Sequence, residues 1–205
     1  MKVGVDFDNT LVSYDDLFLR AAIERELLPQ HFSGDKTAVR DSIRSTAGDA
    51  QWAKLQAEVY GRRMPEAMLI EGAGDFVLAC RKHGAEVYII SHKSRTAAAD
   101  PGGVDLHVAA LAWMERNQFF RKDGLAFTRG DIFFEPTREA KCRRIATLGC
   151  SHFIDDLEEV FREPGFPSAV ERFLLHRGQA PVPRGPFRAL ADWPAITNAV
   201  FARVG

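Results

Sequence analysis

The 205-residue sequence has few cysteines, no excess of either charge and no long apolar run. Its three cysteines, Cys80, Cys142 and Cys150, are an odd number without a C-x-x-C spacing, which predicts reduced thiols and neither a disulfide framework nor a thiolate metal site. The 27 Lys and Arg residues nearly balance the 28 Asp and Glu residues, which argues against a nucleic-acid-binding protein. No apolar run approaches the roughly 18 residues of a membrane span, and residues 1–5 lead into an acidic residue where a signal peptide would need its apolar core. We therefore expect a cytoplasmic protein that binds neither nucleic acid nor a membrane.

The overall composition of the sequence is that of a globular protein. Apolar residues make up 46% of it and charged residues 27%, and a chain of this length buries roughly 70% of the surface that it exposes when unfolded. Its apolar periodicity predicts strands at 2–7, 86–90, 131–134, 153–154 and 172–175. It predicts helices at 15–28, 36–46, 49–60, 72–83, 104–118, 137–148 and 193–204, with Asp49 as an N-cap and Gly84 as a C-terminal cap residue. The proline-rich segment 181–186 is predicted to be a surface loop.

The alternation of strands and helices predicts the α/β class. Right-handed crossovers would build a Rossmann-like, mostly parallel sheet with helices on both faces. The exception is residues 13–63, a helical insert directly after the first strand, which leaves 1–12 and 64–205 for the core. Ligands of such folds lie at the carboxyl ends of the strands. The residues predicted at those ends are all polar: Asp6, Asp8, Ser91, Asp155 and Asp156.

A cluster of carboxylates at one edge of a sheet predicts a metal site. The carboxylates repel one another, and a hard cation among them relieves the repulsion. Ligation by oxygen alone, with open coordination positions, suits Mg²⁺. A magnesium ion beside carboxylates attracts a phosphate dianion, and an aspartate can act as a covalent nucleophile in phosphoryl transfer.

Four motifs in chain order resemble those of the haloacid dehalogenase-like (HAD) phosphohydrolases. They are Asp6-Phe7-Asp8-Asn9-Thr10, Ile90-Ser91, Lys141 and Asp155-Asp156. The resemblance extends from Asp6 to Asp156, and D-x-D-x-T after an apolar strand is its most specific part. It implies a Mg²⁺-dependent enzyme in which 13–63 is a small helical cap that limits the substrate to a small phosphorylated metabolite.

The resemblance assigns the acidic residues to catalysis and to the metal. Asp6 would be the nucleophile and a Mg²⁺ ligand. Asp8 would protonate the leaving oxygen and then deprotonate water, while its main-chain carbonyl binds Mg²⁺. Asp155 and Asp156 would hold the metal, with Asp155 favoured as a direct ligand. Thr10 is expected to order the loop through its hydroxyl.

Phosphate binding is assigned to a second group of residues. Ser91 would donate its hydroxyl, and Asn9 its main-chain N–H, to phosphate oxygens. Lys141, near the start of its helix, would bind both the phosphate and the nucleophile. Lys93 is the competing candidate for this lysine, and Lys141 is preferred because the lysine of the family lies on the helix before the fourth motif. His92 belongs to a basic rim after Ser91 that would contact the substrate.

The expected function is therefore Mg²⁺-dependent phosphomonoester hydrolysis through an aspartyl phosphate. Sugar phosphates, nucleotides and phosphorylated amino-acid derivatives all fit this expectation. The alternatives are a phosphomutase or phosphotransferase, a dehalogenase, and a catalytically silent domain that binds a metabolite or partner. Asp8 argues against a dehalogenase, because dehalogenases lack this second aspartate, and the complete motif set argues against a silent domain. The oligomeric state is left open.

Overall fold

The structure is a computed structural model that describes residues 1–100, 102–177 and 181–202. The chain forms two compact units. The first contains Met1–Val12, Leu69–Lys93 and the described residues of 118–205. The second contains Ser13–Met68 and the described residues of 94–117.

The strands of the described residues form one large sheet and one small one. They are β1 (Lys2–Val5), β2 (Val12–Ser13), β3 (Met68–Leu69), β4 (Glu86–His92), β5 (Ile132–Glu135), β6 (His152–Asp155), β7 (Glu171–Leu175) and β8 (Arg188–Leu190). The large sheet has the order β5-β4-β1-β6-β7-β8, and every neighbouring pair in it is parallel. The predicted parallel sheet is confirmed. The sequence did not predict β8, whose three residues follow a proline-rich loop and are too few to show a periodicity.

Strand β1 lies at the centre of this sheet, and both of its faces are covered. Three successive residues, Val3, Gly4 and Val5, are buried, as they must be when neighbouring side chains point to opposite faces and neither face meets water. Gly4 is required by close packing, because a Cβ at this position would lie 2.6 Å from Cδ2 of Phe153.

The α-helices of the described residues are α1 (Asp15–Glu24), α2 (Lys36–Ala47), α3 (Asp49–Tyr60), α4 (Ala73–Lys82), α5 (Leu106–Arg116), α6 (Arg138–Leu148), α7 (Glu158–Phe161) and α8 (Trp193–Phe201). None of these helices is long and apolar enough to cross a membrane. Helix α6 begins where the Thr137 hydroxyl accepts the Ala140 N–H at 3.0 Å, and it ends at Gly149 with φ 67°. The predicted terminal helix ends at Phe201, and residues 203–205 lie outside the described residues.

One predicted cap and one predicted helix end differ from the structure, and a second predicted cap is confirmed. Gly48, with φ 87°, is the N-cap of α3, so Asp49 is the first helical residue and not the cap. His83 is the C-cap of α4, and Gly84 follows it at φ 69°, in the left-handed conformation of a glycine that terminates a helix, so the Gly84 prediction is confirmed. Helix α1 ends four residues before the predicted position, because the backbone turns left-handed at Glu26 (φ 56°).

The second unit consists of α1, α2, α3 and, in addition, α5. The sequence placed 64–205 in the core, whereas the structure groups 13–68 and the described residues of 94–117 in the second unit. The physical reason lies in Trp113 of α5, which is buried and donates its indole N–H to the Ala67 carbonyl at 2.8 Å. A helix that belongs by sequence to the alternating pattern is thereby anchored to the end of the insert.

Candidate active site

The carboxyl ends of three neighbouring strands form the candidate site. Asp6 follows β1 directly, Asp155 is the last residue of β6, and Ser91 is the penultimate residue of β4. Since β1 lies between β4 and β6, these residues reach the same edge of the sheet. The Asp6 N–H continues the pairing by donating to the Ile154 carbonyl at 2.9 Å, which holds Asp6 level with Asp155.

Lys141 joins the first and last of the four motifs. Its side chain is 2% exposed, and its ammonium donates to Asp6 Oδ1 and to Asp155 Oδ2, both at 2.5 Å. Helix α6 leads directly into β6 and so carries Lys141 over the strand that ends in Asp155. Of the two lysines that the sequence offered, Lys141 is therefore the one that contacts the candidate nucleophile.

The charges in this cluster do not balance. Burial raises the pKa of the Asp6 carboxyl well above its usual range; the Lys141 ammonium opposes this shift, and the carboxylates of Asp155 and Asp156 add to it. Burial also opposes the charge of Lys141, but Asp155 and Asp6 outweigh it and raise the pKa of Lys141, which stays an ammonium. One ammonium among three carboxylates leaves an excess of negative charge.

Asp6, Asp155 and Asp156 fit a divalent cation. Each of the three residues offers a carboxylate oxygen, and these oxygens lie within 4.8 Å of one another. An octahedral Mg²⁺ site needs oxygen pairs separated by about 3.0 Å to 4.2 Å, which small side-chain adjustments of this trio would reach. The Thr10 hydroxyl donates to Asp156 Oδ1 at 3.1 Å, so Thr10 orders one of these carboxylates.

The Asp8 side chain is not part of this trio. Both of its carboxylate oxygens accept hydrogen bonds from the Lys93 ammonium, at 3.0 Å and 2.8 Å. Lys93 is buried, whereas the Asp8 side chain keeps 19% of its surface exposed. Ligation of a metal by the Asp8 main-chain carbonyl stays a prediction.

The loop after Asp6 gives Asn9 a different role from the predicted one. Asn9 adopts a left-handed conformation (φ 59°), and its main-chain N–H donates to the Val12 carbonyl at 2.7 Å. Trp193 also stabilises the loop, because its indole N–H donates to the Thr10 carbonyl at 3.1 Å. Because the Asn9 N–H already closes the turn, this geometry does not support its assignment to phosphate. The role of Trp193 was missed, since an apolar residue at a helix start gives no sign of a contact 183 positions away.

Ser91 and His92 lie next to each other but in different surroundings. The Ser91 hydroxyl is buried and has no hydrogen-bond partner among the described residues. An unpaired buried donor is costly, and a phosphate oxygen would satisfy it. His92 is exposed, and its Nε2 lies 3.1 Å from the Pro136 carbonyl. Neighbouring strand residues face opposite sides of a sheet, so a contact of His92 with the same ligand stays a prediction.

Comparison with known proteins supports the fold. No protein-family model and no curated protein sequence matches the chain significantly. Among solved structures, the haloacid dehalogenase-like hydrolase SP0104 from Streptococcus pneumoniae aligns with a TM-score of 0.59 and 14% identity, over 100% of this chain and 98% of that one. The L-2-haloacid dehalogenase RSc1362 aligns with a TM-score of 0.59 and 13% identity, over 97% of both chains.

A third solved structure holds an anion. It is a HAD family hydrolase from Deinococcus radiodurans R1 with bound phosphate and sodium. It aligns with a TM-score of 0.54 and 17% identity, over 98% of this chain and 95% of that one. Likeness at these identities is a likeness of fold, so the chain has the fold of the haloacid dehalogenase-like hydrolases.

Proposed function

We propose that the protein is a Mg²⁺-dependent phosphomonoesterase that forms an aspartyl phosphate on Asp6. The observation that carries the proposal is the carboxylate trio of buried Asp6, buried Asp155 and half-buried Asp156, with the Lys141 ammonium between the two buried members. An excess of buried carboxylates favours a bound cation, and a cation beside a nucleophilic carboxylate favours phosphate chemistry. Magnesium, when bound, would supply electrostatic stabilisation of the charge that develops on the phosphoryl oxygens.

The residues of the chain divide the reaction into two steps. Asp6 attacks phosphorus and forms a P–O bond while the bond to the leaving oxygen breaks, and Asp8, which enters this step as the protonated acid, gives that oxygen its proton and becomes a carboxylate. Water then attacks the phosphorus, the bond to Asp6 breaks, and Asp8 accepts a proton of the water. Lys141 keeps its proton and holds Asp6, and the Ser91 hydroxyl donates to a phosphate oxygen.

The experiment is hydrolysis of p-nitrophenyl phosphate with Mg²⁺ and in excess chelator. We expect activity that requires the metal, and a loss of several orders of magnitude in Asp6→Asn, because an amide cannot attack phosphorus. The matched control is Asp75→Asn, an exposed carboxylate in the first turn of α4, which should keep wild-type activity. Activity above about a tenth of wild type in Asp6→Asn would refute the nucleophile, since loss of a nucleophile costs far more.

Two related activities are distinguished by further assays. Chloride release from a 2-chloro acid without phosphatase activity would indicate a dehalogenase, and transfer of the phosphoryl group to an added alcohol instead of water would indicate a phosphotransferase. A screen of sugar phosphates, nucleotides and phosphorylated amino-acid derivatives then tests the expected class of small phosphorylated metabolites.

A further inference from the structure

Lys93 holds the Asp8 carboxylate at two points. Its ammonium donates to Asp8 Oδ1 at 3.0 Å and to Oδ2 at 2.8 Å. An ammonium within hydrogen-bond distance of both oxygens restrains the position of the carboxylate. The backbone of Lys93 is itself fixed, because its N–H donates to the Glu135 carbonyl at 3.0 Å.

The two buried lysines are divided between the two aspartates of the first motif. Lys141 contacts Asp6 and Asp155, whereas Lys93 contacts Asp8. The Lys93 side chain is 3% exposed, against 19% for Asp8, so an arriving molecule has more access to the carboxylate than to the ammonium. The Lys93 ammonium also lies 5.7 Å from the centroid of the buried Phe7 ring, which is a second contact of its charged end.

We propose that Lys93 is a positioning residue that aims the Asp8 carboxylate for proton transfer and does not itself bind the phosphate. This inference rests on the proposed phosphatase function. Proton transfer needs a heavy-atom separation of about 2.6 to 3.2 Å, and a misplacement of about 1 Å can cost on the order of 100-fold in rate. Lys93 keeps its own proton, while the transferred proton moves between Asp8 and the leaving oxygen or the attacking water.

A double-mutant cycle tests the proposal with Lys93→Met, Asp8→Asn and the combined variant. For an alkyl phosphate, Lys93→Met should lower kcat by about 100-fold and leave KM and the inhibition constant of inorganic phosphate within about 3-fold. The loss should be smaller for p-nitrophenyl phosphate, whose leaving group needs little protonation. In the Asp8→Asn background, Lys93→Met should add less than about 3-fold, because a residue that acts through Asp8 has nothing left to position.

Two outcomes would overturn the proposal. Losses that multiply in the double variant, or a rise of about 10-fold or more in the inhibition constant of phosphate, would make Lys93 a phosphate ligand. Lys93→Arg keeps the positive charge and should recover part of kcat with the wild-type preference among leaving groups, and it replaces Lys93→Met in the cycle if the latter does not fold. If the wild-type enzyme hydrolyses phosphate esters but the kcat losses of the two single variants multiply in the double variant, only this inference is refuted. A wild-type protein that hydrolyses no phosphate ester overturns the proposed function and this inference together.

Discussion

Replacing Lys141 with methionine removes the one ammonium that contacts both Asp6 and Asp155 while keeping a side chain of similar length. Both carboxylates are buried, so the variant has two like charges facing each other without a counter-charge. Removing one partner of a buried ion pair costs about 3 to 5 kcal/mol. At about 2 to 4 °C per kcal/mol for a chain of this size, the melting temperature should fall by about 6 to 20 °C.

The assay is thermal unfolding followed by circular dichroism near pH 7.5 in excess chelator. Arg143→Met is the matched control, because Arg143 lies on the exposed side of the same helix and pairs with Glu139. A surface change of this kind should stay within about 0.5 kcal/mol of wild type. If Lys141→Met melts within about 3 °C of wild type, the ammonium is not what compensates the two carboxylates, and the electrostatic argument for the site fails.

Added Mg²⁺ and a lower pH should both reduce the stability that Lys141→Met loses. A cation at 100 times its dissociation constant adds about 2.7 kcal/mol to the stability of any protein that binds it only when folded. Removing Lys141 removes a positive charge from beside the proposed metal site, so at equal Mg²⁺ concentration the variant should gain more stability than wild type. The pKa of Asp6 is raised in the folded protein, so the folded state binds this proton more tightly than the unfolded chain does. Stability is therefore lost as pH rises through the folded pKa, and the penalty in chelator should shrink as the pH is lowered from about 8 towards 5.

Three further predictions concern the rest of the first unit. Gly4→Ala places a methyl group 2.6 Å from Phe153 and should cost about 1 to 3 kcal/mol in urea denaturation; an unchanged midpoint would mean that the ring can move aside. Asp192→Ala removes the side chain that accepts the Ala195 N–H at 2.8 Å and should cost about 1 kcal/mol in the same assay, with no loss refuting the cap. Burial raises the pKa of the Cys80 thiol to about 12 and the pKa of the Cys142 and Cys150 thiols to about 11. At pH 8 a thiol reagent should therefore modify these buried cysteines only after denaturation, and rapid labelling of the folded protein would contradict this.

Much of the fold follows from local signals in the sequence. The span Asp49–Tyr60 of α3 and the start of α6 after Thr137 were predicted, because helical periodicity and capping residues are short-range properties. The parallel sheet follows from the alternation of strands and helices. The grouping of α5 with the insert was not predictable. It depends on the hydrogen bond from Trp113 to the distant Ala67 carbonyl, and the spacing of apolar residues on α5 does not indicate which neighbour the helix packs against.

The candidate site was predictable only to the level of strand ends. Topology brings Asp6, Ser91 and Asp155 to one edge, because β4 and β6 flank β1. The contact of Lys141 with Asp6 was predicted from the resemblance, whereas the contact of Lys93 with Asp8 was not. The sequence offered Lys93 and Lys141 as competing candidates for the phosphate-binding lysine, whereas in the structure each lysine contacts a different aspartate of the first motif. Lys93 and Asp8 are 85 residues apart in the chain, and Lys141 and Asp6 are 135 apart, so these pairings depend on the directions of the side chains in the folded protein.

The central place of β1 in the sheet has a consequence for synthesis. Strand β1 is synthesised well before both of its neighbours in the sheet, Glu86–His92 and His152–Asp155. A nascent chain therefore carries an unpaired apolar strand until β4 emerges, and one edge of β1 stays open until β6 has been made. At about 5 to 20 residues per second, this exposure lasts on the order of ten seconds. Nascent chains arrested before β6 should therefore bind chaperones through Lys2–Val5, and release should follow the emergence of the strand that ends in Asp155.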